Sequence, residues 1–176
     1  MHEKKAAFYC SASYTIDPKY NQVAREAVRA ACLRGYDIVS GGTVKGTMGV
    51  IAEEASKYPV ANIGVIPHFM KGLEYPDLTE CIWTDLMSER KDAMREGTSI
   101  AVALPGGIGT MDELIETLVL AKLKRYSGKV VALNFEGFYE PFKALLDHYV
   151  ATNMLEPCDR ELISFPTTVE EFESLL

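Results

Sequence analysis

The chain has 176 residues, 48% of them hydrophobic, which suffices for one sizeable core and is short for two independent domains, so residues 1–176 are read as one domain. Its formal net charge of −7 argues against a nucleic-acid backbone as partner, because counterion-release binding needs Lys and Arg clustered on one face, whereas a small anion needs only a local positive site. The polar Met1 to Lys5 start lacks a secretory h-region, no apolar run approaches the ~20 residues that span a bilayer, and Cys10, Cys32, Cys81 and Cys158 are scattered without a CxxC pair, as expected of reduced thiols in a cytoplasmic protein.

Short runs rich in Val, Ile and Ala recur along the chain, with amphipathic segments of helical length between most of them. The runs are Ala6 to Cys10, Tyr36 to Val39, Asn62 to Ile66, Cys81 to Trp83, Ile100 to Leu104 and Val130 to Asn134. This alternation predicts an α/β sandwich with a mainly parallel sheet, and the lack of strict polar alternation predicts strands covered on both faces. In the first helix Asp17 is placed as cap, Pro18 suits the first turn, Gly35 follows the end, and Tyr20, Val23, Ala24, Ala27, Val28 and Ala31 form the core stripe. A second helix should open near Gly46 and run through Met48, Ile51, Ala52 and Ala55 until Pro59. Pro67 to Asp77, with Gly72 and Pro76, reads as an irregular connection placed to lie over a site.

Asp85 to Gly97 projects as a helix at about 100° per residue with Leu86, Met87, Ala93 and Met94 on one apolar face and Arg90 in its middle. An inward guanidinium needs an anionic partner, either a core carboxylate or a bound phosphate. Lys91, at the edge of the stripe, reads as solvated. A long helix containing Leu114, Ile115, Leu118, Val119, Leu120, Ala121 and Leu123 is apolar nearly all round and predicts a subunit interface. Toward the end, Phe138 to Val150 is a helix, Ile163 to Phe165 a short strand, and Thr168 with Glu171 a capping box.

Ligands of open α/β sheets bind beyond the carboxyl ends of the strands. Three such ends are built of small residues: Ser11-Ala12-Ser13, Ser40-Gly41-Gly42 continuing to Gly46, and Pro105-Gly106-Gly107-Ile108-Gly109-Thr110. In the third, glycines let backbone N–H groups converge while the next helix presents its positive end, which suits a phosphate; a tight turn without ligand is the alternative. A dinucleotide GxGxxG starting at Gly107 would need glycine where Asp112 stands, and a Walker loop from Gly41 to Gly46 has Thr47 in the lysine position. Glu113, three residues after Thr110, is either its capping-box partner or a carboxylate held beside a phosphate loop, facing the attached sugar; Asp112 and Glu116 read as surface groups. His2, His68 and His148 match no metal-ligand spacing, and no metal site is predicted; His68, just past a strand end, either reaches a ligand or is a solvated loop residue.

Together, Met87-Ser88-Glu89-Arg90-Lys91 and Pro105 to Glu113 resemble the paired signature of the Lonely guy family, the cytokinin riboside 5′-monophosphate phosphoribohydrolases, long labelled lysine decarboxylases. The resemblance extends to the Ser-rich end of the first strand, to Gly41–Gly49 and to Gly64–Pro67. No residue pattern here supports a pyridoxal site, and no cofactor is expected. The resemblance implies a Rossmann-like three-layer α/β/α sandwich, forming a homodimer or larger homo-oligomer, that takes a small-molecule nucleotide and cleaves the N-glycosidic bond of AMP-type or N6-modified nucleoside 5′-monophosphates. It assigns Arg90 and Glu113 the essential positions. It also implies nucleotide contacts from Ser13, Gly42, Thr43, Met87, Lys91, Gly106, Gly107, Gly109 and Thr110. Thr43 and Ser88 depart from the family's frequent glycine and histidine. A carrier of similar fold that holds nucleotide or molybdenum cofactor without turnover is the alternative, as is a nucleotide sensor.

Overall fold

The computed structural model describes residues 4–176, so His2 lies outside the described residues. The apolar runs become β1 (Lys5–Tyr9), β2 (Asp37–Ser40), β3 (Asn62–Pro67), β4 (Glu80–Thr84), β5 (Ile100–Ala103), β6 (Lys129–Ala132) and β7 (Ile163–Ser164). They form one sheet in the order β4-β3-β2-β1-β5-β6-β7, and every pairing between neighbouring strands is parallel. Parallel neighbours require crossovers, supplied by α1 (Pro18–Leu33), α2 (Gly46–Ala55), α3 (Met87–Arg95), α4 (Ile108–Lys122) and α5 (Glu140–Ala151), with short α6 (Pro157–Arg160) and α7 (Val169–Glu173) near the end.

Successive side chains of β1 alternate between two cores, as the two-residue period of a strand demands. Ala6 and Phe8 pack with Val23, Val28, Ile51 and Phe172 of α1, α2 and α7. Ala7 and Tyr9 pack with Met94, Leu114, Phe142 and Leu146 of α3, α4 and α5. The result is the expected three-layer α/β/α sandwich. Strand order reverses between β1 and β5, and the crevice beyond their carboxyl ends is where such a sheet offers room for a ligand.

Local signals place the helix ends. Asp17 caps α1 by accepting from the Lys19 amide at 3.1 Å, and Gly35 closes it with φ of 76°. Helix α3 starts later than its apolar pattern suggests, because the Glu89 carboxylate accepts from the amides of Asp85 and Leu86, both at 3.1 Å, and fixes them ahead of the first turn. Leu86 and Met87 are therefore 58% and 44% exposed rather than inward, and the buried face of α3 is made by Arg90, Met94 and Arg95.

The turn after β2 depends on Gly42, whose φ is +68° and whose absent Cβ leaves room for Gly64 Cα, which a side chain would meet at 2.5 Å. Both constraints oppose any side chain. Gly42→Ala is expected to lower unfolding free energy by about 2 kcal/mol or more, read as a reduced midpoint in urea denaturation; an unchanged midpoint would contradict this packing.

Candidate active site

The carboxyl end of β5 is held from both sides before the glycine turn begins. The Leu104 amide donates to Tyr9 O of β1 at 2.9 Å, and the Tyr139 hydroxyl donates to Leu104 O at 2.7 Å. From Pro105 the chain turns directly into α4, whose cap residue is Gly107, with no side chain accepting at the cap. The first N–H groups of such a helix have no partner within it, so Gly107, Ile108, Gly109 and Thr110 present free donors at the positive end of the helix dipole. These same four residues line a cavity of about 360 Å³ at the β1/β5 switch point.

Opposite them stand Ser11, Ala12 and Ser13 from the end of β1, Gly41 from the end of β2, and Arg90 and Met94 from α3. Glu113, one turn into α4, completes the wall. The Thr110 hydroxyl is buried in the same wall and makes no hydrogen bond among the described residues. A buried hydroxyl left unpaired costs about 1–3 kcal/mol, which an anionic ligand at the turn would recover.

Arg90 and Glu113 are only 7% and 9% exposed, and Arg90 Nη1 lies 3.3 Å from Glu113 Oε1. Of the two partners expected for the inward guanidinium, the structure supplies a carboxylate, and it is the other residue assigned an essential position. Arg90 Nε also donates to Val65 O at 3.0 Å, and Gly41 lets the guanidinium lie against the β2 turn, where a Cβ would meet Nη2 at 2.5 Å. Glu113 is fixed through its backbone: its carbonyl accepts from Thr117 Oγ1 at 2.7 Å, and Thr117 Oγ1 lies 2.9 Å from the Tyr9 hydroxyl. It is not the capping-box partner of Thr110, because the N-cap position of the helix falls one turn earlier, at Gly107, and carries no side-chain cap.

Burial pushes the Glu113 carboxyl up to about 7, against the lowering pull of Arg90, with Asp112 adding to the rise. Burial likewise raises the Cys10 thiol at the floor of the cavity, so it is held neutral.

The other candidate residues divide by position. Ser13, Gly107, Gly109 and Thr110 line the cavity, whereas Gly42, Thr43, Met87, Lys91 and Gly106 do not. Gly106 packs behind the turn against Thr110, Thr43 is buried beside Met48, and Met87 faces outward. Lys91 is not solvated as its place on the stripe suggests: its ammonium is held by Asp112, at 3.1 Å, and by Glu116. Asp112 is a surface group, as read from the sequence, whereas Glu116 is half-buried and also accepts from Arg95 at 3.0 Å. His68 stacks on Trp83 and lies 2.9 Å from Asp85, outside the cavity lining. Phe8, Cys10, Met48 and Met70 also wall the cavity, and nothing in the sequence marks them as site residues; Met70 arrives from the irregular segment after β3. Among the described residues no group of His, Cys, Asp and Glu is arranged to hold a metal ion.

Residues 48–175 match the family described as "Possible lysine decarboxylase". Over 170 residues the chain is 32% identical to the cytokinin riboside 5′-monophosphate phosphoribohydrolase LOG of Oryza sativa subsp. japonica, covering 95% of this chain and 70% of that protein. The chain belongs to the Lonely guy family. A second relative, a cytokinin riboside 5′-monophosphate phosphoribohydrolase of Arabidopsis thaliana, is 28% identical over 98% of this chain and 77% of its own length. Among solved structures, the molybdenum cofactor binding protein of Rippkaea orientalis superimposes with a TM-score of 0.72 at 20% identity, covering 98% of this chain and 94% of that one; at that identity the likeness is one of fold. The two departures from the Lonely guy pattern stand away from the cavity lining, Thr43 buried in the β2 turn and Ser88 exposed on α3.

The electrostatics make a direct prediction. In the protein with its glutamate side chains labelled with carbon-13, one carboxyl should titrate near 7, and Arg90→Met should move it upward because the guanidinium is what restrains it. A Glu113 midpoint in the ordinary carboxylate range of about 4.3 would contradict the burial described.

Proposed function

We propose that the protein is a phosphoribohydrolase of nucleoside 5′-monophosphates, releasing free base and ribose 5-phosphate, with AMP and its N6-modified derivatives as the substrate class. The observation that carries this reading is the placement of Glu113 in the cavity formed by the uncapped glycine turn and Arg90. A carrier has no use for a carboxylate beside its anionic ligand; a hydrolase of this bond does.

Cleaving the bond between ribose C1′ and a base nitrogen builds positive charge on the sugar ring, and a fixed carboxylate in a poorly hydrated cavity stabilises it. In this proposal the free amides of Gly107 to Thr110 and the Thr110 hydroxyl bind the phosphate, with Ser13 at its side. The ribose then lies toward Glu113, which in its ionised form steadies the developing cation and takes a proton from the attacking water. Arg90 holds the carboxylate in place and faces the nucleotide. The names of the relatives support the reaction class, and the curated rice protein supports cytokinin nucleotides in particular. A homodimer belongs to the proposal: Ile108, Ile115 and Val119 on α4 and Leu123 at its C-cap are 92%, 43%, 46% and 60% exposed, an apolar stripe suited to a second copy. The unpaired Cys10, Cys32, Cys81 and Cys158 support a cytoplasmic setting.

Incubation of the purified protein with AMP and with N6-prenyl AMP, followed by chromatography of free base, tests the activity; binding without release from either would favour a carrier. Glu113→Gln is expected to lower kcat by ~10²–10⁴-fold while the far-ultraviolet circular dichroism at assay temperature stays that of the parent, although melting falls because Arg90 loses its charged partner. Because the ionised carboxylate is the active form and its titration lies near 7, kcat/KM should rise as pH increases through that value. A flat profile between about pH 6 and 8 would remove Glu113 from that role.

A further inference from the structure

Hydrolysis of an N-ribosyl bond sends the bonding electron pair to the base, and a neutral purine leaves readily only if a proton meets it there. The cavity holds few groups able to deliver one. Among the described residues lining it, those with exchangeable side-chain protons are Ser11, Ser13, Thr110, Cys10, Arg90 and Glu113. The hydroxyls are too weakly acidic, and the guanidinium does not release its proton in proteins. The Cys10 thiol is pushed further from acidity by burial and by the Glu113 charge beside it. Glu113 itself must be ionised to steady the ribosyl cation, so it cannot also be the donor. His68, the imidazole at the end of β3, does not line the cavity and is stacked on Trp83 beside Asp85.

The charge balance points the same way. A phosphate dianion at the glycine turn and the Glu113 carboxylate share one cavity in which Arg90 is the cation, while Lys91 is held by Asp112 and Glu116 outside the lining. A ligand bearing positive charge near C1′ relieves that excess and favours the ionised carboxylate that the reaction needs. Met48, Met70 and Met94 line the same cavity, and their polarisable thioethers suit contact with a flat heteroaromatic ring.

We infer that this centre is matched to ribose 5-phosphates whose base carries a permanent positive charge on the nitrogen bound to C1′ or elsewhere in its ring, and that it hydrolyses them faster than their neutral counterparts. The inference rests on the phosphoribohydrolase reading and extends it to a further substrate class. In the reaction the C1′–N bond breaks with its electron pair passing to the base, which leaves neutral. Water oxygen bonds to C1′, and one water proton passes to Glu113 and then to solvent, so the products are ribose 5-phosphate, the neutral base and one proton. No donor to the base is required.

Two comparisons test it: nicotinamide mononucleotide against AMP, and 7-methylguanosine 5′-monophosphate against guanosine 5′-monophosphate, which differ by one methyl group and one charge. Each is incubated at saturating concentration with the purified protein and free base is measured by chromatography. General acid catalysis contributes ~10²–10⁴-fold where it operates, so a centre without it should cleave at least one cationic nucleotide ~10²-fold or more faster than its neutral counterpart. Cleavage of AMP with neither cationic nucleotide cleaved faster overturns the inference and leaves the hydrolase standing. No cleavage of any of the four, or of N6-prenyl AMP, overturns both.

Discussion

The structure turns on two opposite charges, both nearly buried, each of which has the other as its partner. Arg90 and Glu113 come from successive crossovers on either side of β5, and each would be an uncompensated buried charge without its partner. Removing one member of such a pair costs about 3–5 kcal/mol, so the pairing constrains how α3 and α4 dock on the sheet. The Lys91–Asp112 pair, formed by their immediate neighbours, and the Arg95–Glu116 pair, about one turn away, join the same two helices. Arg90 is tied to β3 through Val65 O, and Glu113 is tied to β1 through Thr117 and Tyr9, so the pair is held by the sheet rather than by loops.

That constraint acquires chemical meaning from its place. The switch between β1 and β5 leaves a crevice where an uncapped helix aims free amides, and the acid sits one turn further along that helix. Attraction for an anion and a tolerated carboxylate within one small cavity are contradictory demands unless the ligand is anionic at one end and becomes cationic at the other. A nucleotide losing its base is such a ligand. The rise of the Glu113 carboxyl toward neutrality follows from the same crowding: burial lifts it and Arg90 stops it from climbing further.

Much of the fold was legible in the residues because the signals were local and mutually consistent. Asp17, Pro18 and Gly35 bracket α1, and the Val- and Ile-rich runs coincide with the strands to within a residue or two. The glycine turn was legible too, since three glycines before a long apolar helix leave few conformational alternatives. What escaped were tertiary facts. The inward face of α3 keeps Arg90 and Met94 as expected but lacks Leu86 and Met87, because Glu89 holds the preceding amides and the helix begins at Met87. Lys91 looked solvated because the acids that hold it, Asp112 and Glu116, are distant in sequence and come near only when α4 docks. The partner of Arg90 could be narrowed to an anion from its place in an apolar stripe, yet only the packed structure identifies it as Glu113. The methionine-lined wall had no signature at all, because Met48, Met70 and Met94 are indistinguishable in sequence from ordinary core residues.

A crystal structure of the protein with ribose 5-phosphate bound tests the central claim most directly. The phosphate should accept hydrogen bonds from the amides of the Gly107 to Thr110 turn and from the Thr110 hydroxyl, with C1′ of the sugar turned toward the Glu113 carboxylate. A phosphate seated away from that turn, or a sugar whose C1′ points away from Glu113, would contradict the account.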